Sequence, residues 1–123
     1  MPLEGALIAE SLRIGAVLDD LDLTARKISR ADVGDVSAGQ PLTWTFIYFE
    51  ADEDDASTLA EALTQALDPT GGWYCDFRTT DETFVVFAGR AFRYPRGDHA
   101  GRSEAEEYAR SVGVPEAQID WPE

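Results

Sequence analysis

The sequence predicts an α+β fold: a mostly antiparallel sheet of about five strands in the order β-β-α-β-β-β-α, with the helices packed on one face. Three observations lead there. Residues 55–68 and 103–112 repeat their apolar side chains with the 3.6-residue period of a helix. Before and between them the period drops to two. The last three period-two stretches are separated by turns so short that only antiparallel hairpins fit.

Taken in order, residues 3–12 read as a short helix, and residues 24–33 as a strand pairing with the next one. Residues 42–50 (LTWTFIYFE) are β-branched and aromatic on both faces, the pattern of a central strand. Helix 55–68 follows, with Ala56, Leu59, Ala60, Leu63 and Leu67 on one side. Carboxylates at its start oppose the positive dipole end, and Pro69 with Gly71 and Gly72 stop it. Residues 73–78 alternate Trp73, Cys75 and Phe77 against Tyr74, Asp76 and Arg78. Thr79 to Glu82 turn the chain, 83–87 return, Ala88-Gly89-Arg90 turn it again, and 91–94 form the last strand before Pro95. A capping box of Ser103 and Glu106 opens the second helix, which Gly113 and Pro115 close.

Strand parity then sorts the meander. If Phe77 faces Phe84, then Trp73, Cys75, Phe77, Phe84 and Val86 share one face, expected to be buried under the helices. Tyr74, Asp76, Arg78, Val85 and Phe87 share the other; a two-residue turn after Phe87 or Ala88 adds Phe92 and Tyr94 to it, and a three-residue turn moves them to the first face. Aromatics mixed with a carboxylate and a guanidinium suit a half-exposed surface, so Tyr74, Asp76, Arg78 and Tyr94 form a candidate ligand face. Ile119 and Trp121 follow Pro115 in a stretch with no period, and their apolar bulk is expected to fold back on the domain.

The chain has 123 residues, 44% apolar and 28% charged, with three Trp, four Tyr and six Phe. That supports one globular domain over 1–123 with a core of its own. The net charge of −14 argues against nucleic acid, whose phosphates need a basic face. The charge is uneven: residues 41–69 carry seven acidic side chains and no basic one. One cysteine, Cys75, excludes an intramolecular disulfide and a cysteine-only zinc site. No run approaches the ~20 apolar residues that span a bilayer. Residues 1–15 lack a basic start and contain Glu4 and Glu10, so a cytoplasmic setting with no membrane is expected.

Gly72-Trp73-Tyr74-Cys75-Asp76-Phe77, Phe84-Val85-Val86-Phe87, Phe92-Arg93-Tyr94 and the ending Gly113-Val114-Pro115-Glu116-Ala117-Gln118-Ile119-Asp120-Trp121 occur together. This half of the chain, Gly72 to Trp121, resembles a recurrent kind of small bacterial protein with a G-W-Y-x-D-F core and a G-[IV]-P-x-x-Q-[IL]-D-[FW] ending. The resemblance implies a shared fold for that half and brings no activity with it.

Catalytic chemistry finds little footing. His99 is the single histidine and sits in a polar loop, Arg96 to Arg102, with no elbow to build a triad. The run Asp52, Glu53, Asp54, Asp55 fails as a calcium loop: its sixth position is Ser57 and its twelfth Leu63. Cys75 reads as a buried small hydrophobe. Arg93, Arg96 and Arg102 lie close enough in sequence to form a candidate anion site near the second helix start. No catalytic residue, metal or cofactor is assigned. Four carboxylates exceed what helix capping needs, so Asp52, Glu53, Asp54 and Asp55 form a candidate docking patch. The expected function is a non-enzymatic acidic module that binds a basic protein, immunity- or inhibitor-like in one version. The alternative is a small-ligand binder or small enzyme using the aromatic and charged sheet face.

Overall fold

One antiparallel sheet of six strands carries the molecule, with two helices against it. The structure, a computed structural model, describes residues 2–34, 36 and 39–122. In chain order the elements are β1 (Pro2–Ile8), β2 (Thr24–Asp32), β3 (Thr43–Asp52), α1 (Ala56–Ala66), β4 (Cys75–Arg78), β5 (Glu82–Phe87), β6 (Arg90–Pro95) and α2 (His99–Ser111). The strands lie in the spatial order β2-β3-β1-β4-β5-β6. The α+β class holds, and from residue 24 onward the succession of elements is the expected one.

The sixth strand is β1, where a short helix over 3–12 was expected. Leu3 and Leu7 are buried on one face while Glu4 on the other is exposed, the two-residue alternation of a strand. Glu4, Gly5 and Ala6 blur that alternation in sequence, because only two of seven positions carry large side chains that point into the core. What forms β1 is its neighbours: it bonds to β3 on one side and β4 on the other, closing the gap between the two halves of the sheet. Gly5 makes this possible. A Cβ there would lie 2.5 Å from Phe77 Cβ and 2.6 Å from the Asp76 carbonyl oxygen.

The helices cover opposite faces, not one. Phe84 and Val86 pack with Leu59 and Leu63 of α1, together with Leu3, Leu7, Cys75 and Phe77. Val85 and Phe87, the residues between and after them, pack with Ala105 and Ala109 of α2. The reason is in β5 itself: Thr83 to Phe87 are all buried, and a strand apolar on both sides needs cover on both. Phe87 pairs with Arg90 across a two-residue turn, which puts Phe92 and Tyr94 on the α2 side with Val85. The stacked pair Phe77 and Phe84, centroids 4.7 Å apart, marks the centre of the α1 side.

Two helix starts differ from the expected ones. The Asp98 carboxylate accepts from the backbone N–H groups of Ala100 and Gly101, so α2 begins at His99, one turn before the Ser103 and Glu106 box. Ser103 is then interior to the helix, and Glu106 pairs with Arg102 at 3.1 Å. Before α1, Asp52 caps a short 3₁₀ turn over Glu53–Asp55 by accepting from the Asp54 N–H.

The tail folds back as expected. Trp121 is 2% exposed in the α2-side core, with Ile119 packed beside it. The Tyr74 hydroxyl donates to the Gln118 carbonyl, and the Gln118 side-chain amide donates to the Gln40 side chain.

Candidate functional site

α2 and the tail cover only the β4–β5–β6 half of their sheet face. Among the described residues no helix packs on the β1–β3–β2 half of the same face. Register decides which side chains stand there: Glu4, Ala6 and Ile8 of β1 lie opposite Glu50, Tyr48 and Phe46 of β3. One side of β3 therefore reads Trp44, Phe46, Tyr48, Glu50, Asp52, aromatic at one end and acidic at the other. The ring centroids step along it at 6.0 Å from Trp44 to Phe46 and 6.2 Å from Phe46 to Tyr48. Eight residue steps of strand, from Trp44 to Asp52, make this stripe about 27 Å long. Tyr48 is 37% exposed, whereas Trp44 is buried against Trp73 with centroids 5.2 Å apart.

Beside the stripe runs a groove whose floor is low because the central β1 side chain there is Ala6, with only backbone from Gly5. Its far wall is the tail, with Asp120, Trp121 and Pro122. Asp76 and Arg78 of β4 reach into it as a 2.7 Å ion pair, both largely shielded from solvent. Burial holds the Asp76 carboxyl above the usual carboxylate range; Arg78 pulls it down, and Asp120 pushes it further up. Burial likewise raises the Tyr74 hydroxyl, with Asp76 and Asp120 adding to it, so it stays protonated as a donor. Glu4, Glu50, Asp76 and Asp120 line the groove against two guanidiniums, Arg26 and Arg78. Arg26 is held at 2.8 Å by Glu50. The groove is thus an apolar, aromatic trough with an excess of negative charge.

Of the four expected ligand-face residues, Asp76 and Arg78 line this groove, and Tyr74 lines the adjoining hollow that shares Asp76 with it. Tyr94 lines neither. It is 4% exposed under α2, where its hydroxyl accepts from the Trp121 indole. Parity put it on the right face, but α2 and the tail cover that part of the sheet.

Arg93, Arg96 and Arg102 each hold a different partner within the chain. Arg93 points to the α1 side, where both ends of its guanidinium hold Glu82 at 2.7 and 2.8 Å. Arg96 donates to the Thr79 carbonyl. Arg102 belongs to α2, pairs with Glu106 and lies over the Trp121 ring. Arg93 lies within β6, Arg96 just past its end, and the earlier helix start puts Arg102 inside α2.

The acidic run splits. Glu53 accepts from both the backbone N–H and the hydroxyl of Thr80, at 2.8 and 2.6 Å, tying the start of α1 to the β4–β5 turn. Asp52 is the cap and also the acidic end of the β3 stripe. That leaves Asp54 and Asp55 as the carboxylates without a capping bond. Cys75 is buried, its thiol donating to the Ala6 carbonyl and pushed up by burial, so it is no nucleophile. His99 is exposed at the first position of α2.

Trp44, Phe46, Tyr48, Glu4, Glu50 and Asp120 were not among the expected site residues. One signal was present: residues 44, 46 and 48 are all aromatic and 50 and 52 both acidic, a period-two pattern hidden by the equally apolar odd positions. Nothing in sequence places Asp120 beside Asp76.

No protein-family model, curated protein or solved structure matches this chain. Among the described residues no three His, Cys, Asp or Glu side chains are grouped to hold a metal ion. Among the same residues no helix is long and apolar enough to cross a membrane.

Proposed function

We propose that the protein is a non-enzymatic binding module that takes a basic protein partner along the open half of its sheet. The observation that carries this is the β3 stripe: half-buried Phe46 and the more exposed Tyr48 stand in line with Glu50 and Asp52, beside a groove with more carboxylates than guanidiniums. Aromatic rings flanked by like-charged groups suit a segment that brings apolar stems and positive ends together. Lys27, whose ammonium lies 5.1 Å from the Tyr48 ring centroid, already makes this contact from within the chain. The surrounding charge of −14 speeds encounter with a positive surface. An immunity- or inhibitor-like protein facing a cationic toxin or nuclease is one concrete form.

Capture from the native host at low salt, followed by binding of the purified partner to the wild type and to Tyr48→Ser and Glu50→Gln, tests this. A basic partner is expected, with binding that weakens as salt rises and at least about tenfold on losing the Tyr48 ring. A partner that binds both variants like the wild type, or ignores salt, overturns the proposal.

A second reading places a small ligand, or small-scale catalysis, in the same groove. The observation favouring it is Asp76, a shielded carboxyl held above its usual range next to Asp120 and the Tyr74 hydroxyl. The same capture experiment yields no protein partner in that case.

A further inference from the structure

At the Trp44 end, the trough deepens into a cavity of about 310 Å³. Four rings wall it, from Trp44 and Phe46 on β3 and from Trp73 and Tyr74 just before β4, and two carboxylates face it, Asp76 and Asp120. No basic side chain among the described residues lines it. Arg78, the ion-pair partner of Asp76, lines the neighbouring groove and not the cavity. Aromatic rings around one space with carboxylates beside them suit an organic cation: the rings supply quadrupole attraction, and the carboxylates the counter-charge.

We infer that this cavity receives the side chain of a lysine from the basic partner, its aliphatic stem against Trp44 and Phe46 and its ammonium between Asp76 and Asp120. The inference rests on the basic-partner reading above. It goes further by naming the residue type and the pocket. The volume accommodates one such side chain with water to spare, and the entrance opens onto the groove through the shared residues Ala6, Phe46, Asp76 and Asp120. An ammonium fits better than a carboxylate or phosphate ligand, because every charged group lining the cavity is negative. Asp76, raised by burial and by Asp120, is the carboxyl with the most to gain from a nearby cation.

The test leaves the partner out. Doubly blocked lysine (N-acetyl-lysine amide) is titrated into the full chain while the indole N–H signals of Trp44 and Trp73 are followed by NMR. The same compound with its ε-amine acetylated is the neutral control. Blocked lysine is expected to shift both signals saturably, with a Kd in about the millimolar range, as befits one small side chain. The acetylated control should bind at least about tenfold more weakly, and Asp120→Asn, an exposed substitution, should weaken blocked lysine about fivefold. Equal binding of the charged and neutral compounds, or no shift of either indole, overturns the inference. A partner bound along β3 with salt sensitivity, together with no lysine shift, overturns the cavity assignment alone. Lysine shifts together with a partner indifferent to Tyr48 and Glu50 overturn the docking proposal alone.

Discussion

The Trp121 indole N–H donates to the Tyr94 hydroxyl at 2.8 Å, and both residues are buried. This bond joins a tail with little regular structure to a strand 27 residues earlier, and it decides two things at once. It removes Tyr94 from the ligand face, and it holds Asp120 at the rim of the groove as one wall of the candidate site. Arg102 lies over the Trp121 ring and Tyr74 packs against its edge, so the indole is held from several sides.

Trp121→Phe keeps most of the ring volume and removes the donor. Because the Tyr94 hydroxyl stays buried, the expected loss is about 1–3 kcal/mol in urea unfolding. Removing residues 118–123 altogether is expected to lower the melting temperature by several degrees. A truncated chain that melts like the full one would show the tail to be unanchored in solution.

Phe84 stacks on Phe77 with planes 10° apart in the middle of the α1-side core. Phe84→Ala should cost about 3–5 kcal/mol, since neither helix nor sheet can collapse into the space. Urea denaturation checks this; a loss below about 1 kcal/mol would contradict the assignment of this face as core.

Gly5 admits β1 between β3 and β4. Gly5→Ala places a methyl group against the Asp76 carbonyl and Phe77 Cβ, neither of which is a flexible side-chain end. The expected loss is about 3 kcal/mol. Because the strain falls on β4, Asp76 should also shift, visible as changed NMR signals around the groove. A variant as stable as the wild type would mean that β1 sits less deeply in the sheet.

The Thr80 hydroxyl and amide bonds hold the Glu53 carboxyl below its ordinary value of 4.5. For a carboxyl lowered on folding, the stabilisation is complete above the ordinary value and disappears as the pH falls through the lower, folded one. Glu53→Gln is therefore expected to melt below the wild type near neutral pH, with the difference closing in acid. Melting curves across that range check it. A difference that stays constant with pH would assign the effect to lost packing instead of lost charge.

The helical stripe of Leu59, Ala60 and Leu63, the two hairpins of the meander and the split of β4–β6 into two faces were all legible in residue order. Each depends on side chains a few positions apart, where local period and turn length suffice to set direction. Trp121 was legible too, because so large an apolar group has one favourable place to go. The site was legible only in part. Tyr74, Asp76 and Arg78 follow from strand parity, but the open half of their face belongs to β1 and β3, whose pairing spans more than forty residues of sequence.

What the sequence by itself determined was therefore the class of fold and the parity of each strand. Only the tertiary structure decided that β1 is a strand, that the helices take opposite faces, and that α2 stops short of β3. The physical reason is common to all three. β1 has too few large side chains to declare a period, and it is ordered by backbone bonds offered on both sides. α2 goes to the far face because α1 already covers Phe84 and Val86, leaving Val85 and Phe87 to be buried. Its 13 residues, about 20 Å of helix, pack on the β4–β6 half, and on β3 Phe46 stays half-buried and Tyr48 exposed.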